Sequence, residues 1–223
     1  METAEYAPGR SVDLYGDPSD ACVLLWHGMQ TDSRGALTPL AETLAGHRIA
    51  VVVPDWNSHA SDGGRADLLG SVGFAREHAT NPDDLVLVGW SMGGVAAAGL
   101  TVHSTSLGLH LRHTVCLAGA FMARNPITGG YVADDLVPGA GSPFTLLHGV
   151  HDDVVPLSST TTFAASLAQA GWPVEVVEMD ADHGSIAGAR YDSAVDRYTP
   201  ADDQQTLRVA GDVAERIAAA TGR

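Results

Sequence analysis

Lysine is absent from this chain. All 12 basic side chains are arginine, set against 27 acidic ones, for a formal net charge of −15 and a pI near 4.8. A field of that sign repels phosphate backbones and anionic bilayers, so neither nucleic acid nor a membrane is an expected partner. Cysteine is nearly absent as well. Cys22 and Cys116 sit in separate apolar runs without C-x-x-C spacing, which excludes a disulfide framework or thiolate metal site and leaves two buried thiols. Apolar runs of membrane-spanning length are missing, and Met1-Glu2-Thr3-Ala4-Glu5 has neither the basic start nor the apolar stretch of a secretion leader. A cytoplasmic protein is the expectation, unless a leader precedes this sequence. With 223 residues, 45% of them hydrophobic, the chain suffices for one sizeable core, so a single domain over 1–223 is expected.

What is present is a set of small residues around one serine. Gly89-Trp90-Ser91-Met92-Gly93-Gly94 follows the apolar run 85–88 and precedes the small-residue run 95–100. A G-x-S-x-G between a buried strand and a helix has the context of a nucleophile elbow, in which glycines let a strained turn lift the serine hydroxyl above the sheet. The helix starting near Met92 aims unsatisfied N–H groups at the place where an oxyanion forms. A Gly-rich strand-to-helix turn in an ordinary doubly wound sheet carries the same letters.

Elsewhere the chain alternates strand and helix patterns. Apolar runs at 22–26, 49–53, 85–88, 114–118, 144–148 and 174–179 suit strands, most covered on both faces, with 11–15 as a short opening strand. Helical spacing joins Leu37, Leu40, Ala41 and Leu44, then recurs over 66–78, 92–104, 161–169 and from Ala201 through Ile217. Segments 119–142 and 181–200 read as long loops. Such alternation predicts an α/β fold with a mainly parallel central sheet of about seven strands, helices on both faces and ligands beyond the strands' carboxyl ends. Cys22 and Cys116 then lie two strand spacings apart, roughly 9 to 10 Å, too far for a disulfide.

Reactive residue types should therefore fall just after strands, and His27, Ser91, Asp152 and His183 each do. A hydroxyl nucleophile needs a base near neutral pH and a group that orients the base. Among ten histidines His183 is the candidate base, since it follows the 174–179 run directly and precedes a flexible glycine. His27 and His148 each precede Gly in strand-ending turns and shape backbone there, whereas His59 and His151 remain minor alternatives. Asp152 in His148-Gly149-Val150-His151-Asp152-Asp153 is the candidate acid, with Asp153 its competitor; Asp180 and Asp182 read as structural or surface carboxylates. Backbone N–H groups of Met92 and of Met29, after His27-Gly28, are candidate oxyanion donors. Trp90, Phe121 and Met122 are candidate substrate-binding side chains, although core packing accounts for them equally well. Neither a metal nor a cofactor is expected; the best metal alternative is the cluster His151, Asp152, Asp153.

The order Ser91, Asp152, His183 resembles the α/β-hydrolases, and His148-Gly149-x-x-Asp152-x-x-Val155-Pro156 is similar to the acid turn of small carboxylesterases and dienelactone-hydrolase-like members. That resemblance implies a serine hydrolase acting on a small ester or thioester through an acyl-serine intermediate. Two departures accompany it. Only one strand candidate precedes the 22–26 run, so an N-terminal strand of the usual eight is expected to be missing. The stretch between 118 and 144 is too short for a large cap, so the site should be open. A ligand-binding protein that kept the fold and lost turnover is the alternative.

Overall fold

Five consecutive apolar strands form the centre of the sheet: β3 (Ala21–Trp26), β4 (Ile49–Pro54), β5 (Val86–Trp90), β6 (His113–Leu117) and β7 (Phe144–Gly149). Their side chains are buried on both faces because helices cover both. The computed structural model describes residues 1–139 and 141–222. On one side the sheet ends in β8 (Val174–Met179), whose Glu175 and Glu178 are exposed as suits an edge. On the other it continues into β2 (Arg10–Tyr15) and β1 (Glu2–Ala7), both antiparallel, for the order β1-β2-β4-β3-β5-β6-β7-β8.

The sheet thus has eight strands, and the N-terminal strand expected to be missing is β1. Its polarity concealed it. Ala4 and Tyr6 pack against the core, Tyr6 edge-on to Phe74 with ring centroids 6.5 Å apart, while Glu2, Thr3 and Glu5 are exposed. Tyr6 also donates from its hydroxyl to Asp55 O at 2.6 Å, which fastens the strand to the far end of β4.

Side-chain alternation along the strands divides the core. Val23 and Leu25 of β3 face α1 (Thr38–Gly46) and α5 (Gln204–Ala220), whereas Cys22, Leu24 and Trp26 face α2 (Arg65–His78) and α3 (Met92–Val102). A third cluster joins α3, β6 and β7 to α4 (Leu157–Ala170) through Phe144, Leu146, Phe163 and Trp172. Helix α5 starts at Gln204 and not at Ala201 because Asp203, in extended conformation, caps it by accepting from Thr206 N at 2.9 Å. Cys22 and Cys116 are buried and free, with β5 between their strands.

The 181–200 segment is more structured than its sequence pattern suggests. It folds into a 3-10 turn at Ser185–Ala187 and an antiparallel hairpin of β9 (Ala189–Asp192) and β10 (Arg197–Pro200). Strand β3 lies between β4 and β5, so the strand order reverses beside it, the place where open α/β sheets bind ligands beyond the strands' carboxyl ends. No described helix is long and apolar enough to cross a membrane.

Candidate active site

Ser91 caps β5 with φ 56° and ψ −115°, a backbone conformation that only glycine adopts at ease. The surrounding contacts hold it there. Its N–H donates to Leu117 O at 2.9 Å, and its carbonyl accepts from Ala120 N at 3.1 Å. The flanking glycines are steric requirements: a Cβ on Gly89 would stand 2.1 Å from Gly93 O, and one on Gly93 would stand 2.4 Å from His27 O and 2.6 Å from Trp26 O. Helix α3 therefore starts in direct backbone contact with the end of β3.

Beyond β7 and β8, two loops are joined by backbone bonds from Val150 N to Met179 O and from His151 N to Ala181 O. The first carries Asp152 and the second His183. His183 Nδ1–H donates to Asp152 Oδ2 at 2.8 Å, which leaves its Nε2 with a lone pair and no protein partner among the described residues. The other carboxylate oxygen, Asp152 Oδ1, accepts from Val154 N at 2.9 Å and Val155 N at 2.8 Å. Burial alone raises the pKa of Asp152, but the bond from His183 and the Val155 and Val154 amides outweigh burial and hold it below its ordinary value. Asp153, the competing acid, is exposed. His148 steadies the turn, donating from Nε2 to Val155 O at 2.9 Å while Nδ1 accepts from Thr160 Oγ1 at 2.8 Å. Asp182 accepts from Gly184 N and Ser185 N, so it shapes the base loop, and Asp180 pairs with His151 on the surface.

Opposite the elbow, a Cβ on Gly28 would lie 3.4 Å from Ser91 Cβ, which sets the start of the 28–33 segment beside the serine. His27 orders that segment from beneath. Its Nε2 accepts from Trp56 N at 3.2 Å and Ser33 N at 3.4 Å, so Nδ1 carries the proton and donates to Gly28 O at 2.8 Å. In a trans peptide the N–H points away from the C=O, so pinning Gly28 O also aims the Met29 N–H. Neither Met29 N–H nor Met92 N–H donates to any acceptor among the described residues. Complete burial pushes the His27 imidazole down to about 3 and keeps it neutral.

No protein-family model matches this chain, and no curated protein matches its sequence. Solved structures do match in shape. The apo form of Thermogutta terrifontis esterase 2 superposes with a TM-score of 0.72 at 20% identity, over 97% of this chain and 94% of that one. The same esterase phosphoramylated by tabun gives 0.72 at 19%, and its propionate-bound form 0.70 at 18%, each over the same shares of the two chains. This chain has the α/β-hydrolase fold.

Within that α/β-hydrolase fold the sequence-derived candidates fall in different places. Ser91, Asp152, His183 and the Met29 and Met92 backbones all lie beyond the carboxyl ends of β3, β5, β7 and β8. The metal alternative is dispersed, since His151 turns to Asp180 while Asp152 turns to His183. Trp90 requires correction as a pocket residue. Its side chain is 2% exposed, packs on the α1/α5 face of the sheet, and donates from Nε1 to His183 O at 2.8 Å, so it carries the base loop and does not line an open pocket. Phe121 and Met122 border a cavity of about 240 Å³ with Pro156, Ser159 and Phe163. Phe121 is largely buried and stacks on Phe163 with centroids 4.2 Å apart, while Met122 is 50% exposed.

Sequence reasoning missed Tyr198. Its ring meets Trp90 edge-on at 4.9 Å and lies 5.9 Å from the His183 ring, so the β9–β10 hairpin backs the candidate base. Burial, with the negative field of Asp152, Asp182 and Asp153 behind it, pushes the Tyr198 hydroxyl up to about 12 and keeps it protonated. A signal was present: two Arg-Tyr pairs, at 190–191 and 197–198, flank a polar turn.

Proposed function

We propose that this chain is a serine hydrolase that cleaves a small carboxylic ester or thioester through an acyl-serine intermediate, as a single cytoplasmic domain without metal or cofactor. The observation that carries the reading is the Asp152–His183 hydrogen bond, with the His183 ring 5.4 Å from that of Trp90, the chain neighbour of a strained Ser91, and with the Met29 and Met92 N–H groups without acceptors among the described residues. Ser91 Oγ attacks the carbonyl carbon while its proton passes to His183 Nε2, and Asp152 stabilises the imidazolium through Nδ1. The carbonyl oxygen takes the displaced electron pair and is held by Met29 N–H and Met92 N–H. His183 then protonates the departing alkoxide or thiolate, and the acyl-serine forms. Water, deprotonated by the same imidazole, attacks that ester and releases the acid and Ser91.

Phe121 and Met122 form the acyl-side wall of this proposal. The Thermogutta terrifontis esterase 2 structures support it by likeness, since that protein is recorded with propionate or butyrate bound and phosphoramylated by tabun. The test is labelling with a fluorophosphonate, run beside a series of p-nitrophenyl esters of increasing chain length and acyl-CoA thioesters. Labelling and turnover that vanish in Ser91→Ala are expected. A wild-type protein that neither labels nor turns over would be a ligand-binding protein on a hydrolase fold.

A further inference from the structure

The β9–β10 hairpin touches both halves of the site. Through Tyr198 it backs His183 and Trp90. Through polar bonds it also grips the 28–33 segment. Half-buried Gln30 donates from Nε2 to Asp196 O at 3.0 Å and accepts at Oε1 from Tyr198 N at 2.9 Å, so one amide joins two backbone groups of the hairpin. Arg197 Nη2 adds bonds to Thr31 O at 2.8 Å and Asp32 O at 3.3 Å. Asp32 turns the segment at φ 50°, a conformation that Asp tolerates better than most residues. The Met29 side chain is 52% exposed, and Ser58 Oγ donates to the Met29 carbonyl at 2.6 Å.

We infer that Gln30 is a positioning residue for the Met29 N–H: by fastening the 28–33 segment to the hairpin, it fixes that oxyanion donor relative to the base the same hairpin supports. This rests on the hydrolase reading above. A backbone donor aimed at an oxyanion acts only once negative charge has formed, so its misalignment lowers kcat and leaves substrate binding nearly intact.

The test compares Gln30→Ala with wild type and Ser91→Ala on p-nitrophenyl butyrate. A short alkyl trifluoromethyl ketone serves as oxyanion probe: Ser91 Oγ adds to its carbonyl carbon, the serine proton moves to His183, and the carbonyl electron pair becomes the oxyanion. Expected for Gln30→Ala are a kcat about tenfold lower, a KM within about twofold, and ketone inhibition weakened about tenfold. The pH midpoint of kcat, set by the base, should not move. No Ser91-dependent turnover in wild type overturns the hydrolase reading and this inference with it. With such turnover present, a Gln30→Ala kcat within about twofold of wild type, or a fall in kcat without weaker ketone inhibition, overturns the inference alone. Should Gln30→Ala not fold, Arg197→Ala removes the second clamp and is judged by the same measurements.

Discussion

The buried imidazole of His27 makes the pH dependence of stability calculable. Folding takes it from an ordinary value of 6.5 to about 3, because burial disfavours the charged form. Between those values the unfolded chain binds a proton that the native chain refuses. His27 therefore leaves stability intact above about 6.5 and erodes it as pH falls toward about 3, at a slope approaching ~1.4 kcal/mol per pH unit. From neutral pH to about pH 5 this one group removes ~2 kcal/mol, which for a chain of this size lowers Tm by ~4–8 °C. Carboxylates and the other histidines titrate as well, so the measurement is a difference. Thermal unfolding of wild type and His27→Gln is followed across that range, and the variant, which keeps a polar group there but no ionisation, should show a Tm–pH curve flatter by that amount. Parallel curves would mean that His27 binds a proton as readily in the folded protein as in the unfolded chain, and would refute the reasoning from its burial.

Other substitutions probe the same framework. Gly93→Ala places a Cβ against the backbone oxygens of Trp26 and His27, and should cost more than ~3 kcal/mol by denaturant titration. Gly73→Ala, in exposed helix with nothing within 4 Å of a new Cβ, should stabilise by ~0.5–1 kcal/mol in the same assay. Arg34 pairs with Asp13 and Asp55, both nearly buried, so Arg34→Ala leaves two carboxylates without their cation and should cost ~2–3 kcal/mol by denaturant titration. Met122→Ala should shift the preferred ester chain length at nearly constant Tm, whereas Trp90→Phe should lower Tm by removing the bond to His183 O and leave the chain-length profile unchanged.

Legibility in the sequence followed the physics of each element. Strands buried on both faces, such as those at 22–26 and 144–148, write themselves as unbroken apolar runs, and the residues after them mark the sheet edge where ligands bind. The elbow was legible because its glycines are demanded by close backbone approach, which leaves no substitute. Strand β1 and the β9–β10 hairpin were not, since each buries one side only and is held by hydrogen bonds from distant residues such as Asp55 and Gln30. Trp90 shows a different limit. Its place in the motif said that it stood next to the serine, but alternation along β5 sends successive side chains to opposite faces, and the partner that occupies it, the carbonyl of His183, lies 93 residues away. The choice of Asp152 over Asp153 depended on which carboxylate the Val154 and Val155 amides could reach.

The strain at Ser91 bears on how such a sequence changes over generations. A non-glycine residue at φ 56° and ψ −115° costs on the order of 1 kcal/mol or more relative to glycine, which reaches that conformation freely. Replacement of the serine by glycine is thus a downhill step in folding free energy, open to any lineage in which the hydroxyl has lost its use. The fold itself exerts a steady pull toward erasing this serine, and only a demand for its hydroxyl opposes that pull.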